Sequence, residues 1–150
     1  MNIAILATVL AGVLTFVIGQ LIVKLLIDPV QNMKATIGVI SHNLVLYANV
    51  IANPGVGTKE LMDEASRALR GQSSQLRAHL FLIPAYTVTS KVFGLPSITN
   101  VRSASRALIG LSNSVYSATD RIHEMNAKAI ERVCDGLGIP MDDNDRWEKD

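Results

Sequence analysis

With one cysteine in 150 residues, the chain can hold neither a disulfide framework nor a cysteine-based zinc cluster. Aromatic residues are scarce at 5%, while Ala, Leu, Ile and Val are frequent, which argues against an all-β module. Charged residues amount to only 18%, which excludes a disordered acidic chain. The 14 basic and 13 acidic residues nearly cancel at a net +1, so bulk charge points to no partner. Two local absences carry more information. Residues 3–23 contain no ionisable group, and residues 65–119 contain no acid.

The first absence predicts a transmembrane helix. Those 21 residues, bounded by Lys24, give a helix of roughly 31 Å against a hydrocarbon core of ~30 Å. A buried core helix is the alternative, but a domain of this size rarely encloses a helix apolar on every side. A cleaved signal peptide would need a basic opening, a shorter apolar core and a small-x-small cleavage site. Met1-Asn2-Ile3 is uncharged and Lys24-Leu25-Leu26-Ile27 follows the run, so the sequence reads as a retained signal anchor. Lys24 and Lys34 lie on its C-terminal side, which by the positive-inside rule puts the N-terminus outside and residues 28–150 in the cytoplasm. Cys134 is then a free thiol in a reducing compartment. Ala4, Thr8 and Gly12 recur every four residues, as do Ala11, Thr15 and Gly19. Small residues at that spacing let two membrane helices approach closely, and these six are the candidate packing residues.

Beyond the anchor the pattern is helical. Asp28-Pro29-Val30-Gln31 reads as a capped helix start, with a kink or restart at Pro29. Met33, Ile37, Ile40, Leu44, Tyr47 and Ile51 then follow at 4-3-4-3-4 spacing, widened by Val39, Leu46 and Val50. That helix ends near Asn53-Pro54-Gly55. A second starts at Thr58, buries Leu61, Ala65, Leu69, Leu76, Leu80 and Ile83, and stops at Pro84. Residues 84–97, with two prolines and a glycine, read as an irregular connection with at most one short helical turn. A third run starts between residues 97 and 100 and carries Val101, Ala104, Leu108, Leu111, Val115, Ala118, Ile122, Met125, Ala129 and Val133. It has a candidate break at Ser117-Ala118-Thr119-Asp120 and a stop at Gly136. The expected fold is all-α, one N-terminal transmembrane helix followed by an antiparallel three- to four-helix bundle. The expected divisions are an anchor over 1–27, a cytoplasmic bundle over 28–136 and an acidic mobile tail over 137–150.

The acid-free stretch holds Arg67, Arg70, Arg77, Lys91, Arg102 and Arg106. Antiparallel helices of comparable length bring residues 84–97 back toward the membrane, where Phe81, Leu82, Tyr86, Val92, Phe93 and Leu95 lie among cations. Arg77, Tyr86, Lys91, Phe93, Arg102 and Arg106 are therefore candidate contacts to anionic lipid headgroups. The apolar run over 80–86, interrupted by Pro84, is too short for a second span.

No chemistry-bearing motif emerges. Asn53-Pro54-Gly55-Val56-Gly57-Thr58-Lys59 lacks phosphate-loop spacing and follows a helix. His42, His79, His123 and Cys134 share no metal-ligand spacing, and His123-Glu124 lacks the second histidine of a zinc motif. Cys134, near the negative end of a helix, reads as a buried structural thiol. Ser103, Ser105, Ser112, Ser114 and Ser117 sit in no nucleophile elbow and read as close-packing residues. The arginines lack interleaved aromatics, which argues against nucleic acid. No cofactor, metal or catalytic residue is assigned.

The anchor leading into Asp28-Pro29-Val30-Gln31, then Leu46-Tyr47-Ala48-Asn49-Val50, Asn53-Pro54-Gly55, Ser74-Gln75-Leu76-Arg77, Ile83-Pro84 and Ile109-Gly110-Leu111-Ser112-Asn113-Ser114 form a series of landmarks. Over roughly residues 25–116 this order resembles small uncharacterised bacterial single-span inner-membrane proteins with a cytoplasmic helical domain. The resemblance implies a bacterial inner-membrane setting and brings no activity or site residue. The functional expectation is a non-enzymatic, membrane-anchored scaffold, regulator or accessory subunit that self-associates or binds a membrane-protein partner. The alternative is a self-assembled pore or membrane-disrupting effector, against which stands the scarcity of polar residues in the span, Gln20 being the strongest.

Overall fold

The computed structural model describes residues 2–117, 119, 121–142 and 146, and no strand occurs among them. Seven α-helices follow in order: α1 (Ile3–Ile22), α2 (Asp28–Leu46), α3 (Ala48–Ala52), α4 (Lys59–Leu82), α5 (Tyr86–Phe93), α6 (Ile98–Ser114) and α7 (Ile122–Leu137). A π-helical turn, Val23–Ile27, joins α1 to α2. The result is one uninterrupted 44-residue helix, Ile3–Leu46, about 66 Å long.

The capped restart expected at Asp28 is not formed. Asp28 is itself helical, at φ −58 and ψ −48, and its N–H donates to the carbonyl of Val23, five residues back. Its carboxylate caps nothing and instead accepts from Lys24 Nζ at 2.9 Å. Pro29 can neither donate to residue 25 nor fit its ring against that carbonyl in tight α geometry. The wider π turn just before it relieves the clash, so the helix continues where the sequence predicts a new start.

The remaining helices pack side by side around one core. Thr36 Oγ1 meets His79 Nε2 at 2.9 Å and the Tyr47 hydroxyl donates to Glu64 at 3.0 Å, so α4 runs antiparallel to α2. Arg70 reaches Asn113 at 2.6 Å while Ser73 reaches the Ser105 carbonyl at 2.8 Å, so α6 runs antiparallel to α4. On the other side of α6 lies α7, which also touches α3, where Asn126 Nδ2 donates to the Ile51 carbonyl at 2.8 Å. The periodic stripes supply the core: Met33, Ile40 and Ile51, with Leu69 and Leu76, with Leu108, Leu111 and Val133.

Several expectations at the edges fail. Val39 and Leu46 face outward on α2, Leu61 and Met125 are exposed, and only Val50 of the widening strip is buried. Residues 84–97 are not irregular: α5 gives them two helical turns, entered through Ala85 at φ 46 and closed by Gly94 at φ 65. Thr89 donates to the Pro84 carbonyl at 2.7 Å, which ties the first turn of α5 to the chain just before Ala85. The third apolar run is divided, α6 ending at Ser114 and α7 starting at Ile122; Ala118 and Asp120 of the expected cap lie outside the described residues.

Gly136 does not stop the last helix. It lies within α7, where an added Cβ would stand 3.3 Å from the Asn100 carbonyl oxygen and 3.5 Å from Ala104 Cβ, so it permits the close approach of α6. Gly138, at φ 70, is the residue that ends α7. Leu137 is buried and Ile139 and Met141 pack on the core, so the chain stays attached beyond residue 136. Residues 143–145 and 147–150 of the expected mobile tail lie outside the described residues.

Candidate functional site

Two surfaces stand out. The first is α1, a helix long and apolar enough to cross a membrane, none of whose residues is buried. Ala4, Thr8, Ala11, Gly12, Thr15 and Gly19 fall on one face, within roughly a third of the helix circumference at 3.6 residues per turn. Nothing lies within 4 Å of where a Cβ would stand on Gly12 or Gly19. The hydroxyls of Thr8 and Thr15 donate back to the carbonyls of Ala4 and Ala11 at 3.0 and 2.9 Å, so neither presents an open donor to its surroundings.

The second surface is the corner where α4 ends and α5 begins. Its height along the long helix is fixed by Tyr86, whose hydroxyl donates to the Pro96 carbonyl at 2.8 Å and lies 3.4 Å from Met33 Sδ. Tyr86 is thus buried, with its hydroxyl pushed up to about 12 by desolvation. The expectation that Tyr86 faces lipid is therefore wrong: it ties α5 to α2. Phe93 is half-buried against the core. Arg77, Lys91, Arg102 and Arg106 are exposed, spread over α4, α5 and α6. Arg106 bonds the Arg102 carbonyl at 3.3 Å and lines, with Lys128 and Arg132, a cleft of about 320 Å³ between α6 and α7.

The apolar residues that do face outward here are Phe81, Leu82, Val88 and Val92, at 87%, 61%, 64% and 72% exposure. On α5 the usual pattern is inverted. Thr89 and Ser90 are buried with their hydroxyls bonded to the Pro84 and Thr87 carbonyls, while Val88 and Val92 point away from the core. The spacing of Val88 and Val92 is ordinary for a helix, but a segment that reads as an irregular connection has no face to assign them to.

Elsewhere the chemistry is structural. Ser73 and Ser105 exchange bonds across the α4–α6 seam, each hydroxyl reaching the other's backbone carbonyl, at 2.8 and 3.1 Å. His123 Nδ1 contacts the Ala52 carbonyl at 2.6 Å and His42 is exposed on α2. The Cys134 thiol is buried, and burial first, then the charge of Asp135, pushes its pKa up, which disfavours the reactive thiolate. Among the described residues no three His, Cys, Asp or Glu side chains come together as a metal site. Beside Cys134, a groove of about 410 Å³ runs between α2–α3 and α7, walled by Leu44, Val45, Ala48 and Ile130.

No family model, curated protein or solved structure matches the chain.

Proposed function

We propose that this chain is a single-span protein of a bacterial inner membrane, anchored by α1 with its helical domain in the cytoplasm, and that it works through protein contacts rather than chemistry. The domain is an antiparallel four-helix bundle of α2–α3, α4, α6 and α7, and α1 is its extension into lipid. The observation that carries this reading is the complete exposure of α1. Twelve large apolar side chains stand uncovered on it. At ~1.5–3 kcal/mol for each one transferred from water, their exposure would cost on the order of 20 kcal/mol or more, beyond the ~5–15 kcal/mol that holds a typical domain together. A bilayer removes that cost, and residues 3–23 match its thickness. Lys24 and Lys34 favour the cytoplasm for everything after them, and the bacterial setting follows the resemblance of residues 25–116.

The partner we propose is a second copy of this chain. Small residues on one face of α1 allow close helix contact, and the unbroken rod carries a parallel pair onward along α2, whose outer flank leaves Val39, Val45 and Leu46 uncovered. A pore is the less favoured arrangement, because Thr8 and Thr15 turn their hydroxyls inward to their own backbone and only Gln20 adds a strongly polar group. The test is the mass of the full-length protein in mild detergent, by sedimentation with detergent density-matched. A dimer or small oligomer that persists on dilution supports the reading. A monomer at every protein-to-detergent ratio contradicts self-association, and unitary currents in planar bilayers would establish the pore instead.

A further inference from the structure

We infer that the α4–α5 corner is a second, shallow membrane contact, with Phe81, Leu82, Val88 and Val92 immersed at the headgroup–acyl boundary of the leaflet that α1 leaves. This inference rests on the anchor reading and adds to it a fixed posture of the domain against the bilayer. Three independent observations support it.

The first is the inversion of α5. Beside Tyr86 and Phe93, α5 turns Thr89 and Ser90 inward and leaves Val88 and Val92 outside with Thr87 and Lys91, an outer face that mixes large apolar groups with a cation. With Phe81 and Leu82 at the end of α4, the corner carries four large exposed apolar side chains within twelve residues, a concentration that marks a contact site.

The second is height. The contact of Tyr86 with Met33, and of His79 with Thr36 just beyond, places the corner level with the first turns of α2. Met33 lies ten residues past Val23, about 15 Å along the rod, and six past Ile27, the last of the apolar Leu25-Leu26-Ile27 beyond Lys24, about 9 Å. A leaflet's polar layer is ~5–7.5 Å deep, and interfacial helices bury their apolar face ~5–10 Å into the headgroup–acyl boundary. The corner therefore reaches the leaflet with Leu25-Leu26-Ile27 lying in the interface and Lys24 extending to the headgroups. A protein partner has no reason to sit at that one level, whereas the leaflet is there as soon as α1 spans it.

The third is charge. Arg77 stands one turn before Phe81, Lys91 lies between Val88 and Val92 in sequence, and Arg102 lies in the second turn of α6; none is in an ion pair among the described residues. Among the described residues, Asp28 and Asp135 at this end are each paired, to Lys24 and Arg146. Apolar prongs with flanking free cations match an anionic leaflet.

The experiment uses the full-length chain in lipid nanodiscs of phosphatidylcholine, with and without phosphatidylglycerol. Single cysteines replace Val88, Val92, Val13 or Val56 in a Cys134→Ala background, and each carries a spin label; circular dichroism verifies that the helices persist. Val13 reports the span, and Val56, equally apolar and exposed at the opposite end of the domain, reports water. Expected are oxygen-to-nickel accessibility ratios at Val88 and Val92 at least threefold above that at Val56, rising further with phosphatidylglycerol. Ratios at Val88 and Val92 equal to that at Val56 overturn the corner contact, and labels there shielded from both reagents show a protein cover and overturn it equally. A lipid-like Val13 beside an aqueous Val92 leaves the anchor standing while the corner fails; an aqueous Val13 brings down the anchor itself.

Discussion

His79 on α4 and Thr36 on α2 share a 2.9 Å hydrogen bond inside the seam between the two helices. The Thr36 hydroxyl donates to the Asn32 carbonyl at 3.0 Å, so it accepts from His79 Nε2–H. His79 Nδ1 is left as a buried lone pair with no hydrogen-bond partner. Protonation there would place a charge in the seam with nothing to pair it, and burial accordingly lowers the imidazole pKa.

A pH dependence follows from that lowering. Because the folded value lies below the unfolded one near 6.5, the stability held by neutral His79 is complete above pH 6.5. It drains away as pH falls from there through the folded value. Thermal melts of the full-length protein in detergent should shift to lower temperature between pH 7.5 and 5. His79→Gln, which keeps an amide N–H for Thr36, should flatten that slope, and an unchanged slope would assign the effect elsewhere.

The two glycines near the end of α7 should respond for different reasons. Gly136→Ala pushes a methyl against the Asn100 carbonyl on α6, a backbone atom that cannot swing aside, and should cost ~1–3 kcal/mol. Gly138→Ala meets open space but must hold φ 70, and should cost ~1–2 kcal/mol. Denaturant midpoints in detergent compare them. Gly138→Asn, which tolerates a positive φ, should cost less than Gly138→Ala, whereas Gly136→Asn should cost at least as much as Gly136→Ala.

Self-association should depend on the small face of α1. Gly12→Leu and Gly19→Leu add bulk where the single chain has nothing within 4 Å, so helix content should stay the same. The oligomer should weaken by tenfold or more, read as the concentration at which dimer dissociates in detergent. Leu10→Ala, on the far side of the helix, should leave that concentration unaltered.

Much of the helical core was legible because its signal is periodic. Met33, Ile40, Leu69, Leu76 and Leu108 follow the helical repeat, and nothing local competes with it. The misreadings are places where one local cue has two outcomes. Asp28-Pro29 marks a helix start in most chains, but here a π turn absorbs the proline and Lys24 takes the carboxylate. Two prolines and a glycine between residues 84 and 97 read as breakers, yet they border a helix. At the corner, aromatic character and neighbouring charge picked out Tyr86, whereas its hydroxyl finds Pro96 and Met33 inside. Phe81 and Leu82 belong to the apolar run over 80–86, but Val88 emerges only once the burial of Thr89 and Ser90 fixes the rotation of α5.

Orientation should follow the lysines. Lys24→Gln with Lys34→Gln, combined with Asn2→Lys, moves the positive flank to the other end of the span and should invert a substantial fraction of molecules. Protease digestion of spheroplasts would then degrade the helical domain, which in the unaltered protein should be protected until the membrane is opened.

The central claim is that α1 lies in lipid, and fractionation tests it most directly. Cells expressing the full-length chain are lysed without detergent, washed in alkaline carbonate and centrifuged at high speed. The protein should stay in the membrane pellet and leave it only when detergent is added. Recovery in the carbonate supernatant would contradict the account.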